Sequence, residues 1–279
     1  MCHKKNKKYS FTIMLAASFV IAGMFWFGTL QLNTNEELSI PFFHPESEKA
    51  EEQSPVEDQE TVLPSKQPEE VLPEEDVPGE LQPVIRQADR SYFDDALFIG
   101  DSRTMGLYEY GDLGNAMVIA DSGMSVYKIW EKEIKAEDGS IETLRTLLEK
   151  RTFGKVYIML GINELGYAFE PTAKKFETMV ETIHQSQPEA IIYLGANLHI
   201  TKEKSASSDI FNNENINRFN SVMEHLADGK QIFYLDVNPL FDNEEGCLSP
   251  DYTTDKVHVL GKYYADWVDW ILENAVFYE

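Results

Sequence analysis

The residues most able to do chemistry begin at Phe98-Ile99-Gly100-Asp101-Ser102, where an apolar run ends in a small residue, an acid and a serine. Ligands of open α/β sheets sit outside the carboxyl ends of the strands, so a serine at such a place is a candidate nucleophile. Taken alone, the same residues are explained by helix capping, since Asp and Ser are favoured N-caps. Four later stretches change that balance: Asp121-Ser122-Gly123-Met124-Ser125, Gly161-Ile162-Asn163-Glu164, Asn197-Leu198-His199 and Asp255-Lys256-Val257-His258. Together they carry the parts of an acyl-transfer site. Ser102 needs a base to take its proton, and His258 is the natural one. Asp255, three residues before it, can accept the other ring N–H and fix the tautomer. Backbone N–H groups of Ser102 and Gly123, with the Asn163 side-chain amide, are candidate donors to an oxyanion. Gly123 suits that role because a missing side chain lets substrate approach its amide.

These stretches need a scaffold that gathers them. Short apolar runs lie at Ala96–Ile99, Ala116–Ala120, Val156–Leu160, Ile191–Leu194 and Ile232–Leu235. Between them, apolar residues recur at helix spacing: Ile141, Leu144, Leu147 and Leu148; Phe176, Met179, Val180 and Ile183; Ile216, Phe219, Met223 and Leu226. A last stripe holds Tyr264, Trp267, Val268 and Ile271. Strands alternating with helices predict a flavodoxin-like three-layer α/β/α sandwich with a five-stranded parallel sheet. The first four polar stretches then follow strands one to four, and the last sits in a long loop before the final helix.

At these residues the chain resembles the SGNH, or GDSL-type, hydrolases, named for a serine, glycine, asparagine and histidine in separate blocks. Gly100-Asp101-Ser102 matches the first block, with Arg103 and Thr104 where many members carry leucine. Gly123 matches the second, Gly161-Ile162-Asn163-Glu164 the third with Glu164 replacing the usual aspartate, and Asp255-Lys256-Val257-His258 is a full D-x-x-H. The resemblance implies a serine esterase without a cofactor, acting on small acyl groups, often acetyl, on carbohydrate. The G-x-S-x-G elbow of the α/β-hydrolases is absent around Ser102.

The remaining histidines are assigned lesser parts. His199 follows the fourth run and is a candidate substrate-binding residue, the alternative being a loop residue held by local hydrogen bonds. His3, His44, His184 and His225 read as solvated or packing residues, and Cys247 as a free thiol.

Outside residues 91–279 the composition changes. Residues 1–10 carry Lys4, Lys5, Lys7 and Lys8 and no acid, and residues 11–30 contain no charge. That apolar stretch is long enough to span a bilayer, and the lysines before it put the N-terminus in the cytoplasm. Without a convincing small-residue cleavage site at its end, it reads as an uncleaved signal anchor with the catalytic domain outside the cell. Residues 31–90 hold eight of the twelve prolines and sixteen acids against four bases, the composition of a disordered linker. The 91–279 domain carries 16 bases against 32 acids, which argues against nucleic acid or anionic lipid as partner.

The expected function is a membrane-anchored extracellular esterase for acylated carbohydrate. The same residues also suit an acyltransferase, a lipase or a thioesterase. A non-catalytic envelope-binding module is a rival of another class, and a metal phosphoesterase using Asp101, Asp121, Asp255 and His258 is the least favoured. The sequence leaves the oligomeric state open.

Overall fold

The computed structural model describes residues 81–135 and 139–279. Residues 1–10, the expected span 11–30 and all of the expected linker before residue 81 lie outside the described residues. Among the described residues no helix is long and apolar enough to cross a membrane.

In chain order the strands are β1 (Pro83–Arg86), β2 (Ala96–Gly100), β3 (Met117–Ala120), β4 (Ile134–Lys135), β5 (Ile141–Glu142), β6 (Lys155–Met159), β7 (Ile191–Gly195), β8 (Ile232–Leu235) and β9 (Ala275–Tyr278). The longer helices are α1 (Ser102–Tyr110), α2 (Leu144–Lys150), α3 (Phe169–Ser186), α4 (Asn213–Leu226) and α5 (Tyr264–Glu273). Five strands form a parallel sheet in the order β3-β2-β6-β7-β8. This is the expected doubly wound arrangement. The chain leaves β2 toward β3 on one side and later returns to β6 on the other. That reversal opens a crevice at the carboxyl ends of β2 and β6.

Both faces of the sheet are apolar, because each strand places alternate side chains on opposite sides. Phe98, Tyr157, Met159 and Tyr193 join a core with Leu107, Trp267 and Val268 of α1 and α5. Leu97, Ile99, Val156 and Ile158 join the other, with Leu144, Leu147, Phe176 and Phe219 of α2, α3 and α4. Phe98, Tyr157 and Tyr193 stand opposite one another across three strands. Their rings stack with centroids 4.3 and 4.4 Å apart.

Two local readings are corrected. Pro83–Arg86 falls in the stretch expected to be linker, yet it pairs antiparallel with β9, Pro83 opposite Tyr278 and Arg86 opposite Ala275. The folded unit therefore begins before residue 91. Its partner strand is the far end of the chain, and Val84, Ile85 and Arg86 are exposed, so no local apolar pattern marked it. Ile141 belongs to the short ribbon β4–β5 and is 65% exposed; the buried stripe of α2 starts at Leu144, after the Thr143 cap.

Candidate active site

Asp101 and Ser102 divide the two tasks the sequence left in competition. Asp101 is the N-cap of α1, and its fully buried carboxylate accepts the Arg103 N–H at 2.9 Å. Ser102 is the first residue of the helix, and its hydroxyl is left free for another partner. That partner is His258: Ser102 Oγ lies 2.9 Å from His258 Nε2. On the other side of the ring, Nδ1 lies 2.8 Å from Asp255 Oδ2. A carboxylate can only accept here, so Nδ1 carries the proton and Nε2 accepts from the serine. Serine, histidine and aspartate are thus joined in one chain of hydrogen bonds.

The Asp255–His258 turn is fixed from several directions. Asp255 Oδ1 accepts the backbone N–H groups of Val257 and His258 at 2.9 and 2.7 Å, and the Thr253 hydroxyl at 3.1 Å. Burial alone would raise the Asp255 pKa, but the His258 ring and these N–H donors outweigh it and hold the carboxyl well below the usual range. Lys256 sits in the left-handed region at φ 72°, uncommon for a residue with a side chain. Its carbonyl accepts the Thr201 N–H at 3.0 Å and its N–H donates to Thr253 Oγ1 at 3.0 Å. Thr253 thus supports the turn from both ends, a role no sequence pattern announced.

Two loops face each other across the crevice. After β3, the loop turns at Gly123, whose φ of 71° and open surroundings suit a residue without a side chain. After β6, Gly161 takes φ 126°, where a Cβ would also fall 2.5 Å from the Phe219 ring. The exposed Asn163 follows it, and its Nδ2 donates to the Met124 carbonyl at 2.9 Å. One amide N–H is used in that bond, which orients the side chain and leaves the second N–H available. Beside Gly123 lies a polar depression of about 360 Å³, bordered by Asp121, Ser122, Met124, Lys128 and Lys132. Asp121 itself is paired with Lys132.

Glu164, which the sequence marked only as a departure from the family pattern, connects these loops. It is 2% exposed, and its Oε1 accepts the Val126 N–H at 2.7 Å. Its Oε2 is buried without a hydrogen-bond partner among the described residues. Burial lifts its pKa to about 7; the nearby Asp101 charge adds to the rise, and the Val126 N–H opposes it. Arg103 is equally unexpected. At 1% exposure it lies in the interior, with Nη1 3.6 Å from Asp101 Oδ2. Burial raises the Asp101 pKa, and the Arg103 charge, the Arg103 N–H and His258 pull against it.

His199 is employed elsewhere. Its Nδ1 bonds Asp242 Oδ2 at 2.7 Å and its Nε2 bonds Asn217 Oδ1 at 2.6 Å. Both ring nitrogens meet acceptor oxygens, so neither is left for substrate, and the ring ties the loop after β7 to α4 and to the loop between β8 and α5. His184 pairs with Gln231, and His225 with the Ser221 carbonyl. Cys247 is a free thiol. Among the described residues, no group of three or more His, Cys, Asp or Glu side chains is arranged to hold a metal ion.

Several solved structures are similar to this chain. A GDSL-like lipase from Bacteroides thetaiotaomicron is 18% identical, with a TM-score of 0.48 over 66% of this chain and 88% of its own. An acetyl xylan esterase is 17% identical, with a TM-score of 0.46 over 63% of this chain and 96% of its own. A catalytic mutant of an acetylxylan esterase from Geobacillus stearothermophilus is 16% identical, with a TM-score of 0.42 over 63% and 93%. No curated protein matches the chain in sequence. The GDSL-like lipase/acylhydrolase family model matches residues 98–265, a span that runs from within β2 into α5 and contains all four blocks; the chain belongs to that family.

Proposed function

We infer that this acylhydrolase is a serine esterase that removes short acyl groups from carbohydrate through Ser102, His258 and Asp255. The observation that carries the reading is the hydrogen-bonded series from Ser102 Oγ through His258 to Asp255. In the first half-reaction, Ser102 Oγ attacks the ester carbonyl while His258 Nε2 takes its proton. Asp255 keeps Nδ1–H in place and stabilises the imidazolium that forms. The carbonyl oxygen, now negative, is met by the Ser102 and Gly123 N–H groups and by the second N–H of Asn163. His258 then returns the proton to the leaving alcohol. In the second half-reaction it takes a proton from water, which attacks the acyl-serine, and then gives that proton to Ser102 Oγ as the acid leaves.

The surroundings favour a short acyl group. The depression beside Gly123 is bordered by charged and polar side chains, poor company for a lipid tail. The apolar cavity among Phe98, Tyr157, Tyr193, Trp267 and Trp270 has a volume of about 40 Å³, far too small for an acyl chain. The acidic domain surface favours a neutral substrate. The uncharged residues 11–30 and the acidic, proline-rich residues after them support an anchored enzyme whose catalytic domain works outside the cell. Comparison of acetate release from acetylated oligosaccharides with fatty-acid release from long-chain acyl esters tests this reading. Preference for the acetylated sugars is expected, and preference for a long-chain ester would contradict it.

A further inference from the structure

A second depression opens one residue past Asn163. It has a volume of about 180 Å³ and is bordered by Leu165, Tyr167, Phe169, Asn215 and Arg218, with the buried Thr172 beneath. We propose that this cleft is a subsite for one ring of a neutral oligosaccharide, with the Tyr167 ring as its stacking face. The proposal rests on the carbohydrate-esterase reading above and names where the sugar backbone is held.

The aromatic wall is built rather than incidental. Tyr167 is 58% exposed, so part of its ring is open to a ligand. Its position is nevertheless fixed. The ring stacks on Tyr127, with centroids 4.9 Å apart and planes 22° from parallel. Tyr127 is held in turn by a 2.8 Å hydrogen bond between its hydroxyl and Thr172 Oγ1, and Lys175 Nζ lies 5.3 Å from its ring centroid. The Tyr167 backbone N–H donates to the Glu164 carbonyl at 2.8 Å. The stack therefore bridges the same two loops that carry Gly123 and Asn163.

The rest of the cleft selects the class of ligand. The Arg218 guanidinium lies flat over Phe169, 3.6 Å from its centroid, and is paired with Glu170 at 3.2 Å. Its remaining N–H groups suit hydroxyl acceptors. Asn215 is half-buried, with its Nδ2 donating to the Asp209 and Ile210 carbonyls. That leaves its Oδ1 facing outward from those bonds as an acceptor for a hydroxyl. The open face of Tyr167 for the C–H surface of a sugar, and planar polar groups for its hydroxyls, describe a pyranose. A lipid chain would leave Arg218 and Asn215 desolvated and unmatched.

Tyr167→Ala, Tyr167→Phe and the unaltered protein should be compared in two measurements. The first is turnover of p-nitrophenyl acetate, which has no sugar, and of acetylated xylotetraose. The second is an NMR titration with deacetylated xylotetraose and with chitotetraose at millimolar concentration. Tyr167→Ala should lower kcat/KM for the acetylated sugar about tenfold more than for p-nitrophenyl acetate, the worth of one aromatic face. Tyr167→Phe should behave as the unaltered protein. Tetrasaccharide binding by the unaltered protein, lost in Tyr167→Ala, supports the subsite even if no sugar ester is hydrolysed, in which case the carbohydrate-esterase reading fails and the cleft stands. Sugar-ester hydrolysis unaffected by Tyr167→Ala, or absence of binding to either tetrasaccharide, overturns the subsite and leaves the esterase reading intact.

Discussion

Glu164 Oε1 accepts the Val126 N–H at 2.7 Å and so fastens the loop bearing Gly123 to the loop bearing Asn163. The bond is made by a carboxyl group that is 2% exposed and whose other oxygen has no partner among the described residues. A carboxylate in that position costs stability, and the cost depends on pH. Glu164 ionises near pH 7 in the folded protein against 4.5 for an ordinary glutamate. The unfolded chain therefore gives up this proton first. Its contribution to stability falls as pH rises from about 4.5 to 7 and is level above that, a change on the order of 3 kcal/mol. Glu164→Gln keeps an acceptor for Val126 and cannot ionise. Its melting temperature relative to the unaltered protein should rise between pH 5 and pH 8; a difference constant across that range would show that Glu164 does not titrate there.

Asn163→Ala should lower kcat by roughly 10²–10³ with a smaller change in KM, the usual cost of one oxyanion donor. The variant also loses the hydrogen bond from Nδ2 to the Met124 carbonyl, so its melting temperature is measured beside the kinetics. Steady-state kinetics on an activated acetyl ester would decide. A rise in KM at constant kcat would make Asn163 a ground-state binding residue.

Lys256 holds a left-handed conformation between the two catalytic-turn residues. A β-branched residue should tolerate it badly and glycine well. We expect Lys256→Val to be less stable than Lys256→Gly by about 1–2 kcal/mol, the cost of a left-handed residue. Lys256→Val should also lower kcat, because the turn sets His258 against Asp255. The Lys256 ammonium pairs with Glu203 on the surface, at 45% and 78% side-chain exposure, and that pair contributes little. Equal melting temperatures for the two variants would show that the turn carries no strain.

His199 shifts stability with pH in the same direction as Glu164, in a window that opens at pH 6.5. Burial favours its neutral form, but Asp242, Asn217 and Asp236 outweigh burial and raise its pKa. Stability from the imidazolium is then complete below the unfolded value of 6.5 and is lost as pH rises through the folded value. His199→Gln should destabilise the domain more at pH 6 than at pH 9, with kcat unchanged. Equal destabilisation at both values would mean the ring is neutral throughout.

The sequence made some of these residues legible and hid others for physical reasons. The five central strands announced themselves because each is short and apolar, with β2, β6 and β7 buried along most of their length and the edge strands β3 and β8 half-buried. The helical stripes of α3, α4 and α5 did so because one face of each packs on the sheet. Ser102, Asp255 and His258, which the structure joins by hydrogen bonds, were readable because a serine at a strand end and a D-x-x-H turn are local patterns. β1 was not readable: its four residues pair with β9, at the other end of the domain, and bury little. His199 looked like a site residue from its place after β7, but Asp242 and Asn217 reach it from distant segments. Arg103 and Glu164 are charged residues in the interior, a placement that composition alone argues against.

The account rests most heavily on Ser102 as the nucleophile. Its direct measurement is the mass of the folded protein after reaction with a fluorophosphonate, with peptide mapping of the adduct, beside hydrolysis of p-nitrophenyl acetate by Ser102→Ala. The account predicts one adduct per chain, on Ser102, and a loss of at least about 10³-fold in kcat for the variant with its fold intact. An adduct on another residue, or near-normal turnover by Ser102→Ala, would contradict it.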